Sequence, residues 1–473
     1  MIALTLAMTL AVPGPMVRTV QGALVGSIEG EVAAFRGLPY ARPPIGRLRW
    51  RAPQQPQGWT GVRDARRFGP ICPQPDPGGD AGTGIEPQSE DCLSLNIWTP
   101  RSALNPGRRR LLPVMVWLHG GGYTGGSGSA GLYDGGALAR RGVVVVTLNY
   151  RLGRLGFFAH PGLVAHEGPN FALLDQQAAL RWVRRSIRMF GGDADRVTLF
   201  GNSAGGESVL FHMTDPATAG LFSRAIVQSG LGGRRLPNMA ETIDPDRARV
   251  TIAALRALPV AAVLGWGQPS VYRSFGPSID GRTVFRDIEA TFATGGQHRI
   301  PLMIGYNSQE IPAAAGQVGL GMLGHSAEER ARAIAAYGSA AAYARDAPSD
   351  ILFRAPALRL AALHAAAAAP TWLYEFDVLA TAVAGRLQGA PHASERAYIF
   401  NTLPKLGWAT DQADAAVASA IADRWTSFAA GITPWPHWQP ERPHPFVLAR
   451  ADRTRPSLAR PASLSAYLRL REQ

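Results

Sequence analysis

Short apolar runs alternate with helical stretches along much of this 473-residue chain. Val114–Leu118, Val143–Leu148, Val197–Phe200, Ala225–Val227, Leu302–Ile304 and Trp372–Phe376 each have the length and content of a buried strand. Between them, Leu173–Phe190 places Leu174, Ala178, Trp182 and Ile187 at helical spacing, and Ala204–Met213 is a second helical stretch. Strands that alternate with helices predict an α/β chain with a large, mostly parallel sheet covered on both faces. Such sheets gather their chemistry at the carboxyl ends of the strands. Leu231–Ala290 is less regular, and Gly316–Ala369 is alanine-rich and helical in pattern. Neither is bounded by a linker, so both are expected to be excursions capping one domain, residues 17–473.

Composition limits the alternatives. Apolar residues make up 46 % and charged residues 18 %, enough for a large core and inconsistent with a disordered or collagen-like chain. No internal repeat is visible, which excludes solenoids and propellers. The net charge of +13 raises the question of an acidic partner. Only one of the 48 basic residues is a lysine, Lys405. Near-absence of lysine beside abundant alanine and arginine is a composition bias, and the arginines are scattered. No nucleic-acid partner is expected.

Cys72 and Cys92 close a 21-residue segment. Two cysteines cannot form a tetrahedral zinc site alone, and no metal is expected. A disulfide there would stabilise the chain by about 3 kcal/mol in the loop-entropy view and would place it in an oxidising compartment. Two free thiols are the alternative. Ile2–Val12 is an apolar run of 11 residues, suited to a signal-peptide core and too short for a bilayer span of about 20 residues. No Lys or Arg precedes it, and no clean small-x-small site follows. Residues 1–16 are therefore treated as a signal-like segment and the protein as periplasmic or secreted, with the cytoplasm as the alternative. No other stretch is long and apolar enough to span a membrane.

Gly201-Asn202-Ser203-Ala204-Gly205 is a G-x-S-x-G element with a strand running in and a helix running out. A strand-to-helix elbow needs small residues beside a strained serine, and it lifts the hydroxyl above the sheet. His119-Gly120-Gly121-Gly122 follows another strand. Backbone N–H groups best stabilise a developing oxyanion where no side chain intrudes, so Gly121, Gly122 and Ala204 are the expected donors. A phosphate loop would need a Gly-Lys-Ser/Thr ending, which is absent. The serine needs a base, and the base an orienting acid. His392 lies in a turn after Trp372–Phe376 and is the best-placed histidine. His298, His325, His364, His437 and His444 also follow the serine. Glu310 follows Leu302–Ile304 by a short turn. Asp280 is the rival acid, although an Asp-Gly pair more often closes its own turn.

Together these segments resemble the type-B carboxylesterases, which include para-nitrobenzyl esterases and cholinesterases. The resemblance runs from about Val17 to Trp438. It is carried by Phe35–Ala41 with Pro43–Gly46, by Glu90–Asn96, and by Leu173–Gln176 through Phe190–Asp193 to Ser203–Gly206. Gly305–Glu310 and Pro391-His392 with Tyr398–Phe400 complete it. It implies an α/β-hydrolase fold, a triad of Ser203, Glu310 and His392, a Cys72–Cys92 disulfide, no cofactor, and cleavage of small to medium acyl or aryl esters through an acyl-enzyme. The same triad would also serve an amide, lactone or carbamate hydrolase, and some relatives are non-catalytic binding proteins. A monomer is expected. Asn202 stands where the family usually has Glu, Gln309 where it has Asp, and Ala172 and Ala393 where it has Gly. The Cys72–Cys92 loop holds no tryptophan for a quaternary ammonium, which argues against choline esters.

Overall fold

All six apolar runs are strands, and their side chains alternate between two cores. The computed structural model describes residues 14–450 apart from 76–85, 106, 108–109, 165–166, 267–275, 313–319, 322, 324 and 442–443. The run Ile2–Val12 lies outside the described residues. Ten described strands form the main sheet: β1 (Ser27–Glu29), β2 (Val32–Pro39), β3 (Ser94–Pro100), β4 (Leu112–Leu118), β5 (Val144–Leu148), β6 (Gly192–Asn202), β7 (Arg224–Gln228), β8 (Leu302–Asn307), β9 (Thr371–Phe376) and β10 (Phe446–Leu448). Their spatial order is β10-β9-β8-β7-β6-β4-β5-β3-β2-β1. From β5 to β10 every neighbouring pair is parallel. The pairs β1–β2, β2–β3 and β3–β5 are antiparallel. Met16–Arg18, Ala23–Val25 and Val62–Asp64 form a separate small sheet.

On β4, Val114, Val116 and Leu118 face one core, while Met115 and Trp117 face the other. The first core is completed by α1 (Phe171–Ser186), α2 (Ala204–Thr214) and α3 (Ala355–Ala366), through Leu180, Leu210 and Leu360. The second is completed by α4 (Gln412–Ala430), through Ile421, Trp425 and Phe428. The helix expected over Leu173–Phe190 is α1 followed by a tight 3₁₀ turn at Ile187–Phe190, which stops at Gly191 with φ of 80°. Asp411 and Asp414 form a reciprocal capping box at the start of α4. Each fully buried Val or Leu contributes about 1.5–3 kcal/mol, so the sheet is a stiff base for its loops.

The sequence expectation left out β1, β2, β3 and β10. A register shift between Phe35 and Leu38 breaks the alternation on β2, which hides its period. The alanine-rich excursion is helical where described, with helices at Ala327–Tyr337 and Ala340–Ser349 preceding α3. Cys72 and Cys92 form a disulfide, as fits an oxidising compartment. Among the described residues no helix is long and apolar enough to cross a membrane.

The strand order reverses at β4, with β5 on one side and β6 on the other. A sheet of this type opens a crevice at the carboxyl ends of the strands flanking that reversal. The loop after β4 begins at His119, and the turn after β6 holds Ser203.

Candidate active site

Ser203 sits between β6 and α2 with φ 57° and ψ −124°. A non-glycine residue there stores about 1–3 kcal/mol of strain and persists only if its surroundings enforce it. They do. The Ser203 amide donates to the Gln228 carbonyl at 2.9 Å, and the Ser203 carbonyl accepts from the Glu207 amide at 2.8 Å. A Cβ on Gly205 would lie 2.0 Å from the Leu118 carbonyl oxygen, and one on Gly201 2.6 Å from the Gly205 carbonyl. Both glycines are therefore required by close approach. The Ser203 hydroxyl does not cap its own helix.

The His119–Gly122 loop crosses directly above this serine. A Cβ on Gly120 would meet Ser203 Cβ at 3.2 Å. Gly121 and Gly122 have φ of 100° and 61°. Their N–H groups have no acceptor among the described residues. Ala204 is the first residue of α2, where an amide has no intrahelical partner. The loop is anchored from below: Tyr150 stacks on His119 at 4.2 Å and donates its hydroxyl to the His119 carbonyl at 2.7 Å.

Glu310 and His392 meet at the ends of β8 and β9. His392 Nδ1 lies 2.6 Å from Glu310 Oε2, and the His392 amide donates to the Glu310 carbonyl at 3.0 Å. The other carboxylate oxygen, Oε1, accepts from Ser229 Oγ at 2.6 Å and from the Asn307 amide at 2.7 Å. Glu310 is buried, while the His392 side chain is 28 % exposed and packs on Phe353. Ser229 follows Gln228, whose carbonyl holds Ser203, so the serine and the Glu310–His392 pair share one hydrogen-bonded frame. Burial alone would lower the His392 pKa. The Glu310 hydrogen bond and charge, with a smaller push from Glu395, outweigh it and raise the value above 6.5.

The rival residues are engaged elsewhere. Asp280 Oδ1 accepts from the amides of Arg282, Thr283 and Val284, closing its own turn. His364 is buried in α3 against the Ile300 carbonyl, His298 faces the Asp215 carbonyl, and His325 faces Tyr343. His437 and His444 line a cavity beside β10 with Trp435 and Trp438.

Of these departures, Ala393 has a local cost: its φ is 67°, a region that costs an L-residue about 1–2 kcal/mol and glycine almost nothing. Asn202 is buried and donates to Glu395 at 2.6 Å. Sequence reasoning did not find Ser229, Asn307 or Glu395. The only signal for the first two is position, since each lies at the carboxyl end of a parallel strand.

The sequence matches the profile of the carboxylesterase family over residues 13–332 and 331–447. It is 36 % identical to the fumonisin B1 esterase of Sphingopyxis macrogoltabida, across 90 % of this chain and 85 % of that one. It is 34 % identical to the para-nitrobenzyl esterase of Bacillus subtilis, across 92 % of this chain and 94 % of that one. A solved structure of a thermophilic PNB esterase superposes with a TM-score of 0.80 at 32 % identity, covering 92 % of this chain and 96 % of the other.

Proposed function

The chain belongs to the carboxylesterase family of carboxylic ester hydrolases with the α/β-hydrolase fold, and from that premise we propose that it works through a Ser203–His392–Glu310 triad and an acyl-enzyme. The observation that carries this most is the 2.6 Å contact from Glu310 Oε2 to His392 Nδ1, in the same hydrogen-bonded frame as the Ser203 elbow. His392 Nε2 takes the Ser203 proton as Oγ attacks the ester carbonyl. Glu310 holds the imidazole in the tautomer that leaves Nε2 as acceptor and offsets the imidazolium charge. The amides of Gly121, Gly122 and Ala204 receive the oxyanion. As the tetrahedral intermediate collapses, the alcohol leaves with the proton from His392. Water then attacks the acyl-enzyme, His392 again takes a proton, and the acid departs as Ser203 is regenerated.

Small to medium acyl or aryl esters are the proposed substrates, and the periplasm or the exterior the proposed location, in keeping with the disulfide. The test is hydrolysis of para-nitrophenyl acetate, butyrate and octanoate. Turnover should be fastest on the shorter chains, with para-nitrophenol released ahead of the acid. A well-folded protein that turned over none of the three would refute the proposal.

A second expected result concerns pH. His392 must be neutral to act as base, and its pKa is raised above 6.5 by Glu310 against the opposing effect of burial. Activity should therefore be complete at alkaline pH and fall as the solution is acidified through a midpoint above 6.5. A rate profile that stayed flat between about pH 5 and 8 would contradict a histidine base.

A further inference from the structure

Behind the Glu310–His392 pair lies another carboxylate that the mechanism above does not use. Glu395 opens the short helix Glu395–Ile399 and is fully buried. Its Oε1 accepts from Asn202 Nδ2 at 2.6 Å, and its Oε2 from Asn307 Nδ2 at 2.7 Å. Main-chain carbonyls set the orientation of the two amides, firmly for Asn307 and more loosely for Asn202. Asn307 Nδ2 also donates to the Pro391 carbonyl at 2.6 Å, and Asn202 Nδ2 faces the Gln228 carbonyl at 3.4 Å. A carbonyl cannot donate, so the 2.6 Å contact keeps the oxygen of Asn307 turned away from Glu395, and the longer contact favours the same orientation of Asn202. The oxygens of both asparagines are buried without a hydrogen-bond partner. The site thus presents an N–H group to each carboxylate oxygen, which suits an anion and leaves a protonated acid no acceptor there.

We propose that Glu395 is a positioning residue, a buried carboxylate anion held by Asn202 and Asn307 that gives the His392 imidazolium a second counter-charge. This rests on the Ser203–His392–Glu310 assignment. Glu395 acts through His392 and not on the substrate. It lies three residues beyond His392, and Asn307 ties it to the carbonyl of Pro391, the residue before His392. The charged or titratable groups facing it are Glu310, His392 and Arg396, with Tyr374 a neutral phenol beside them. The Arg396 guanidinium is also engaged with the Tyr133 hydroxyl and the Ala393 carbonyl. Burial and then the Glu310 charge raise the Glu395 pKa above the usual carboxylate value, outweighing the downward pull of Asn307, His392 and Arg396.

The test is the pH dependence of kcat/KM for para-nitrophenyl butyrate in wild type, Glu395→Gln and Asn202→Asp, each checked for folding by thermal melting. Removing the charge in Glu395→Gln should move the acid-side midpoint down by about one pH unit, the effect of one charge several ångströms away in a protein interior. The alkaline plateau of kcat should stay within about tenfold of wild type, because the residue touches no reacting atom. An unmoved midpoint would overturn the proposal. Asn202→Asp is nearly isosteric and gives an independent result if Glu395→Gln does not fold. A second carboxylate beside an anion must share one proton with it, so the net charge and the midpoint should hold. An upward shift would mean that Glu395 is already protonated in wild type, and would equally overturn the proposal. Failure here is distinct from failure of the triad: in the first case Ser203→Ala is inactive and the midpoints do not move, and in the second Ser203→Ala retains activity.

Discussion

Ser203→Ala is expected to lower kcat on para-nitrophenyl esters by about 10⁶-fold, equivalent to about 8 kcal/mol of transition-state stabilisation. The variant should fold. Alanine differs from serine only in the hydroxyl, and that hydroxyl does not cap α2. The strained backbone is enforced by the Gln228 carbonyl, the Glu207 amide and the tight packing of Gly201 and Gly205, none of which the substitution touches. What disappears is the proposed nucleophile, and with it the covalent route. A residual rate would come from the Gly121, Gly122 and Ala204 amides acting on directly attacking water. The measurement is kcat for wild type and variant purified side by side, with matching melting curves. A residual rate within about tenfold of wild type would remove Ser203 from the mechanism.

The parallel strands β4 to β9 were legible because they are buried on both faces and read as unbroken apolar runs. The others were not: β2 carries Arg36 and Gly37 inside a register shift that disrupts its alternation, β3 interrupts its apolar residues with the buried polar Ser94, Asn96 and Thr99, and β1 and β10 are only three residues long. The elbow was legible for a steric reason. Gly201 and Gly205 cannot bear a Cβ beside Leu118, and such a constraint leaves a fixed sequence pattern. Ser229 and Glu395 leave none. Each is defined by a hydrogen bond across the fold, Ser229 to Glu310 and Glu395 to Asn202 and Asn307, 81 to 193 residues apart in sequence. Asn202 illustrates the limit. The sequence marks it as a departure and suggests only a missing carboxylate. The fold adds that its amide donates to a carboxylate from a distant turn.

Glu310→Gln is the second change with a large expected effect, a fall in kcat of about 10⁴-fold. The carboxylate accepts from three donors, His392 Nδ1, Ser229 Oγ and the Asn307 amide. An amide of the same shape has one oxygen. With its NH₂ towards His392, the imidazole must place its proton on Nε2, the tautomer that cannot take a proton from Ser203. With its oxygen towards His392, the NH₂ faces the Ser229 hydroxyl and the Asn307 amide, so the pocket loses its fit. In both cases the negative charge that offsets the imidazolium is gone, and the acid-side midpoint should fall because Glu310 is what raises the His392 pKa against burial. Two readouts are therefore expected together, a large loss in kcat and a downward shift of the midpoint, whereas Glu395→Gln should give the shift with little loss. If Glu310→Gln kept activity within about tenfold of wild type, Glu310 would not be the orienting acid. Glu395 would then be the carboxylate to test in that role, since its charge also acts on His392.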